Sequence, residues 1–462
     1  MSADRYDALV IGAGMSGLAA GIRLAQFGRR VAVLERHALW GGLNSFYKRS
    51  GRRYDSGLHA LTNFARPASK SAPLQRILRQ LRLRFDDLGL GEQGTSEIRL
   101  GDLSLAFSND FALFEEQVAR AFPAERERFA GLVRAIRACD PFSVVDPSAS
   151  GRAFLHEHLR DPDLVEALLL PLTWYGSARE DDVDAYQAVI LFRSIFLEGL
   201  ARPRGGIKPL LDLLVRRFRE EGGELRTNDG VAEILCDTAG AARGVRLDSG
   251  GELLSDCIFS SAGYVETRAL CGVSSGEADL GRLSFVETQR VLTRPSASIG
   301  AARTLLFFAE SRRPAWRRPA EAVDVSSGVV ACSDNYASNE ILPHGLMRIT
   351  CLADASAWRG LDPAVYERQK AQWEERMCAS VARFTADPRP HTLAIDCFTP
   401  RTIVQYTGHL NGAVYGSPRK RLDGASGVHN VHLIGTDQGF VGVVGALMSG
   451  ISMANRQAVV AS

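Results

Sequence analysis

Between Tyr6 and Arg36 the chain reads YDALVIGAGMSGLAAGIRLAQFGRRVAVLER, and few folds accept such a stretch. Ala8 to Ile11, with Tyr6 before them, form the unbroken apolar run of a buried strand that stops at Gly12. From Ser16 the apolar residues recur at a period of about 3.6, which predicts a helix. Gly28 ends that helix as a C-cap, and Val31 to Leu34 predict a second strand. Gly12, Gly14 and Gly17 stand at the GxGxxG spacing. The first allows a tight turn, the second lets backbone approach a pyrophosphate, and the third lets helix and strand pack closely. Met15 and Ser16 then lie at the helix start, where free N–H groups face an anion. Glu35, 21 residues after Gly14 and followed by Arg36, closes the second strand where a carboxylate accepts ribose hydroxyls. An acid there argues against a 2′-phosphate and so against NADP.

Composition bounds the rest. A chain of 462 residues points to two or three domains, and 45% hydrophobic with 23% charged residues is ordinary for a globular protein. A net charge of +2 gives no reason to expect nucleic acid. The eight cysteines lack any CxxC pair, which predicts reduced thiols and no metal site. No basic-then-apolar leader precedes the first strand and no long uncharged apolar run follows, so the expectation is a cytoplasmic protein, with peripheral membrane contact left open.

Gly41-Gly42, directly after the second strand and followed by Leu43, would let backbone lie against a second phosphate or a ring system. Phe46–Arg49 and Arg53–Asp55 predict two short strands around Ser50-Gly51, and Asp55, Gly57 and His59 form a DxGxH segment. With these residues the chain resembles the FAD-dependent group of carotenoid desaturases, carotenoid isomerases and retinol saturase. Residues 67–87 predict an amphipathic helix with Leu74, Ile77, Leu78, Leu81 and Phe85 on one face and Arg76, Arg79, Arg82 and Arg84 off it, either solvated or resting on an anionic membrane. Residues 110–138, broken at Pro123, and 162–170 predict cap helices, and AYQAVILFRSIFLEGL adds one that is apolar around most of its circumference.

Arg204-Gly205-Gly206 predicts a turn, followed by a helix, a Gly222-Gly223 cap, a strand from Glu224 and another from Val231 to Leu235. The resemblance implies that the Val231 backbone meets the adenine end of FAD. Strands flank Ser249–Gly251, and a third, Cys257–Ser260, ends in Ser261-Ala262-Gly263. In the resembling enzymes that strand returns to the dinucleotide sheet, placing Ala262 and Gly263 near the cofactor. Residues 281–400 alternate strands with one clear helix, and the arginine-rich segment 311–320 around Trp316 reads as an exposed loop.

The end of the chain carries Thr399, Pro400, Thr402, Tyr406 and an NGAVYG turn, matching the family. Val431–Ile434 predicts a strand, Gly435-Thr436-Asp437 a turn, and a helix begins near Val444. Asp437 can accept ribityl hydroxyls or hold nearby N–H groups. The helix N-terminus, with Val443, Val444 and Ala446, turns positive dipole toward a flavin pyrimidine.

The resemblance spans the chain. It implies an α/β fold with a discontinuous Rossmann-like FAD-binding domain (1–66, 201–280, 401–462) and an inserted α+β substrate domain with helical cap (67–200, 281–400). It also implies one noncovalent FAD and chemistry at carbon–carbon double bonds of an apolar polyene, isoprenoid or lipid-like substrate: desaturation, saturation or isomerisation. His59 and Tyr175 are the candidate catalytic contacts. The final loop, Gly439 to Ala446, lacks the proline-glycine pair of carotene desaturases and is closer to the retinol saturase pattern. A flavin amine oxidase is the alternative, weakened because no Lys lies between Lys208 and Lys370. A non-catalytic escort or dissociation-inhibitor type comes last. Oligomeric state is not readable.

Overall fold

The computed structural model describes residues 4–57, 59–64, 72–140, 149–337 and 342–460. Five parallel strands form its centre, in the spatial order Glu224–Arg226, Val31–Leu34, Ala8–Ile11, Ile258–Ser260, Val431–Leu433. The first strand in sequence lies in the middle and the order reverses to either side of it, which is a doubly wound sheet. Both faces are covered, so the strands are solid apolar runs. Val10 and Val33 pack under helices Met15–Gln26, Lys208–Glu220 and Gly442–Val460. Leu9, Ile11, Ala32 and Leu34 pack instead on a four-stranded sheet of Asp4–Arg5, Glu252–Leu254, Ala242–Leu247 and Val231–Cys236. Gly28 takes φ +75° at the end of the first helix, as a left-handed C-cap requires.

A seven-stranded sheet runs Thr392–Phe398, Ser284–Leu292, Leu346–Ala353, Ser327–Cys332, Leu305–Ala309, Ser96–Leu100, Leu103–Phe107. It is antiparallel except for the pair 305–309 with 96–100. Alternate residues face two cores. Val286, Met347, Ile349 and Cys351 pack with Trp373 and Met377 of helix Pro363–Val381. Phe285, Phe307, Val329 and Leu352 join a larger core with the cap helices Phe111–Ala121, Arg126–Ala138, Gly151–His158, Pro162–Gly176 and Ala185–Phe192. Phe114 stacks on Phe196 with centroids 4.5 Å apart, one contact in a continuous aromatic cluster.

Several expectations change. The helix from Pro162 does not stop at residue 170; it passes through Pro171 to Gly176 and so carries Trp174 and Tyr175. Segment 311–320 is not simply exposed. Its arginines pair with Asp102, Asp163 and Asp181, while Trp316 is buried, donates from Nε1 to the Ser177 carbonyl (3.3 Å) and packs edge-on against Trp174. The basic helix covers Pro73–Gln80, the start of the expected segment lying outside the described residues. Its Leu74, Ile77 and Leu78 are buried against the dinucleotide core, so that apolar face is already used within the protein. Among the described residues no helix is long and apolar enough to cross a membrane.

Candidate active site

Ligands of doubly wound sheets bind beyond the carboxyl ends of the strands, where the order reverses. The expected cofactor residues collect there. Gly12, Gly14, Met15, Ser16 and Gly17 follow strand 8–11; Glu35 and Arg36 follow 31–34; Val231 follows 224–226; Ala262 and Gly263 follow 258–260; Gly435 and Asp437 follow 431–433. Val443, Val444 and Ala446 open the C-terminal helix, whose Gly450 lies so close to helix 15–26 that a Cβ would stand 2.0 Å from the Ser16 carbonyl oxygen.

The glycine loop fits a dinucleotide on the local geometry. Gly12 has φ +92°, and a Cβ on it would meet the Ser261 hydroxyl at 2.4 Å. A Cβ on Gly17 would stand 1.9 Å from the Gly12 carbonyl oxygen, whereas one on Gly14 meets nothing within 4 Å. Two glycines therefore serve close packing and the middle one faces open space beside a helix N-terminus, where a pyrophosphate would need backbone approach. Gly41 and Gly42, with φ of +117° and +57°, lie against the same loop: the Gly41 N–H donates to the Ala13 carbonyl (2.8 Å) and Gly41 bridges Gly14. Leu43 continues this wall, its carbonyl pressed against Gly57 of the following hairpin.

The two acids differ in what they hold. Glu35 accepts the N–H groups of Ala13 (2.9 Å) and His37 (3.0 Å), which fixes its carboxylate at the strand end. A carboxylate has about four acceptor positions, so capacity for ribose hydroxyls remains. Asp437 takes the second of its two expected parts. It accepts the N–H groups of Tyr264 and Ser417 (2.7 Å to the latter) and pairs at 3.6 Å with Lys420, itself buried. Burial pushes the Lys420 ammonium pKa down, while Asp437 and Asp184 pull it up. Sequence reasoning missed Lys420; a lysine among glycines and aromatics before an apolar strand was the available signal.

The hairpin Phe46–Arg49 and Arg52–Asp55 leads from the glycine wall onto the large sheet. Here His59 meets two side chains from adjacent strands. Its Nε2 lies 2.9 Å from Glu287 Oε2 and 3.1 Å from the Thr350 hydroxyl, which itself donates to Glu287 Oε2 (2.8 Å). Arg348, fully buried, donates from Nε to Glu287 Oε1 (2.7 Å) and pairs with it through Nη2. Burial opposes ionisation of Glu287, but Arg348 and His59 outweigh it and hold the carboxyl below its ordinary value. Burial lowers the His59 pKa, Glu287 opposes this, and Arg348 and Arg202 add to the lowering. Arg202 forms a second buried pair with Asp55. Neither pair was foreseen.

Tyr175 and His59 both border Tyr336. The Tyr336 hydroxyl donates to the His59 carbonyl (3.1 Å), and Tyr336 with Tyr415 adds to the burial that raises the Tyr175 pKa well above normal. The Tyr175 ring lies 5.9 Å from Phe307, and its hydroxyl is buried without a hydrogen-bond partner among the described residues. Helix 185–192, expected to be apolar around most of its circumference, is packed in the cap core, and Tyr186 and Gln187 reach the Gly439 carbonyl of the final loop.

Against known proteins, a family model described as flavin containing amine oxidoreductase matches residues 15–456. A chloroplastic prolycopene isomerase of Arabidopsis thaliana is 22% identical, the match covering 98% of this chain and 82% of that protein. A neurosporene-forming phytoene desaturase of Rhodobacter capsulatus is 27% identical over 55% of this chain and 52% of its own length. Among solved structures, an oxidoreductase from Methanosarcina mazei superposes with a TM-score of 0.65 at 19% identity, covering 97% of this chain and 99% of that one. A putrescine oxidase bound to putrescine reaches 0.62 at 17% identity with 99% of each chain covered.

Proposed function

The chain belongs to the flavin containing amine oxidoreductase family, and from that premise we propose that this FAD-dependent oxidoreductase acts on carbon–carbon double bonds of an apolar polyene or isoprenoid. Bound FAD supplies a two-electron acceptor or donor. In this reading Gly12, Gly14, Met15, Ser16 and Gly17 hold the pyrophosphate, Glu35 and Arg36 the ribose, and Val231 the adenine end. Gly41, Gly42, Leu43, Ala262, Gly263, Gly435, Asp437, Val443, Val444 and Ala446 surround the rest. Desaturation, saturation and isomerisation all remain within it, and the loop Gly439–Ala446 favours a saturase-like enzyme.

One observation carries the choice of substrate. The face of the large sheet that continues from His59 is aromatic and aliphatic, and the carboxylates beside it are already neutralised: Glu287 by Arg348 and Asp55 by Arg202. Among the described residues an aminium ion would find no carboxylate there without a guanidinium partner, whereas an uncharged chain loses only water on entering. Phe285, Phe307 and Val329, packed under the cap helices, would form the apolar wall behind such a chain, and the Tyr175 hydroxyl, which has no hydrogen-bond partner among the described residues, would offer it a single polar contact.

The test uses purified holoprotein without oxygen. An acyclic polyene in detergent is expected to gain or lose two hydrogens, or to change chromatographic retention at constant mass, and a diamine to leave the visible flavin band unchanged. Bleaching by the diamine with the polyene untouched would replace this reading by amine oxidation, the activity in the name of the putrescine oxidase neighbour.

A further inference from the structure

The buried network under His59 has more order than a structural ion pair needs. Glu287 sits on strand 284–292 and Thr350 directly across from it on strand 346–353, with Arg348 two residues along on the same face. The Glu287 carboxylate is then saturated. Oε1 takes Arg348, and Oε2 takes both the Thr350 hydroxyl and the imidazole Nε2. Since Thr350 spends its proton on Glu287, it has none to give Nε2. A bare Nε2 lone pair would face a carboxylate lone pair at 2.9 Å, so Nε2 must carry the hydrogen. In the neutral ring the lone pair therefore belongs to Nδ1. That atom has no hydrogen-bond partner among the described residues and is not sealed from solvent, the side chain being 24% exposed.

We propose that Glu287, backed by Arg348 and Thr350, is the positioning residue that fixes His59 as its Nε2–H tautomer, so that Nδ1 exchanges the proton with substrate carbon. The inference rests on the double-bond reading above. When two hydrogens leave a carbon–carbon single bond, one departs with its electron pair to the FAD and the other as a proton. The second C–H bond breaks, its electron pair becomes the new carbon–carbon π bond, and an N–H bond forms at Nδ1. Saturation runs the same exchange backwards. The charged groups facing the ring are Glu287, Arg348 and Arg202, the last tied to Asp55. Burial and the two guanidinium groups keep the imidazole neutral at ordinary pH, as a proton acceptor requires.

The test has two readouts. In full-length protein with 15N-labelled histidine, the His59 ring, identified by its loss in His59→Gln, is expected to give the shifts of an Nε2–H, bare-Nδ1 imidazole at neutral pH. An Nδ1–H tautomer, or a doubly protonated ring, overturns the proposal without any variant at position 287. The second readout is Glu287→Gln, which removes the anion that favours protonation of His59. The acid limb of the kcat/KM profile is expected to move to lower pH, and His59→Gln to lower kcat by roughly 100-fold or more. An unmoved acid limb in folded Glu287→Gln overturns the positioning part while polyene conversion persists. If wild-type protein converts no polyene, the function itself fails, and the tautomer measurement still stands apart from it.

Discussion

The glycines of the first turn divide into two kinds, and the division can be tested one residue at a time. A side chain at Gly14 meets open space and its backbone has an ordinary φ of −74°, so Gly14→Val is expected to fold with the melting temperature of flavin-free wild type and to purify colourless, because the branch occupies the place of the pyrophosphate. Full flavin content in that variant would show the loop to be misassigned. Gly17→Ala should do the reverse: a Cβ 1.9 Å from the Gly12 carbonyl oxygen forces helix and strand apart, at about 1–3 kcal/mol of stability. The carboxylate at Glu287 gives a pH signature. Burial raises its pKa, but Arg348 and His59 together lower it further than that, so the stability it contributes is present above the unfolded value and is lost as pH falls through the folded one. His59 is lowered by burial, so the unfolded chain binds a proton first and stability falls there too. Urea midpoints should drop from about pH 6.5 downward and again below about 4.3. In Glu287→Gln the second fall should shrink, while overall stability drops by about 3–5 kcal/mol because the buried Arg348 loses its carboxylate counter-ion. An unchanged midpoint in that variant would mean the pair is not formed.

Elements with one strong local signal were legible; elements defined by remote partners were not. Strand 8–11, the following helix and strand 31–34 could be read because glycine spacing and apolar runs are local. Strands 96–100 and 103–107 passed unnoticed between the two segments read as helix, since the hairpin they form is anchored to the sheet only through the pairing of 96–100 with 305–309, about two hundred residues away. Helix 162–176 was cut short at Pro171 because proline breaks most helices, yet here the buried cap holds the turn in place. The final loop was readable as glycine-rich, and Asp437 before it as an acid able to hold N–H groups, but not which chain segments it would clasp. Asp437 ties Tyr264 at the head of helix Tyr264–Leu270 to Ser417, with Lys420 as counter-ion. Lys420→Ala leaves Asp437 and Asp184 buried without that cation and should cost about 3–5 kcal/mol. It should loosen this junction first, raising amide exchange in 264–270 and 415–439 while strand 8–11 stays protected. Uniform exchange across the chain would argue that the junction is no separate unit.

At the scale of the whole molecule, the chain is one nucleotide fold with a sheet and cap laid over its carboxyl edge, and the arrangement limits which redox partners can reach it. Among the described residues the five-stranded sheet is the only parallel one with a glycine turn leading into a helix; the four-stranded sheet is mostly an antiparallel meander, and the seven-stranded sheet presents its faces to two apolar cores. Neither offers the strand–turn–helix N-terminus that a second dinucleotide needs. The turn that does is the one FAD would fill, and Glu35 at its ribose position disfavours a 2′-phosphate. Electrons must then come from or go to the substrate itself, oxygen, a quinone or a carrier protein. NADH and NADPH are accordingly expected to leave the oxidised flavin band unchanged over many turnovers when mixed with holoprotein in the absence of oxygen, whereas dithionite bleaches it at once. Bleaching by either nicotinamide at the rate of polyene conversion would require a second nucleotide site, and the cap-covered face above His59 would then have to admit a nicotinamide rather than a polyene.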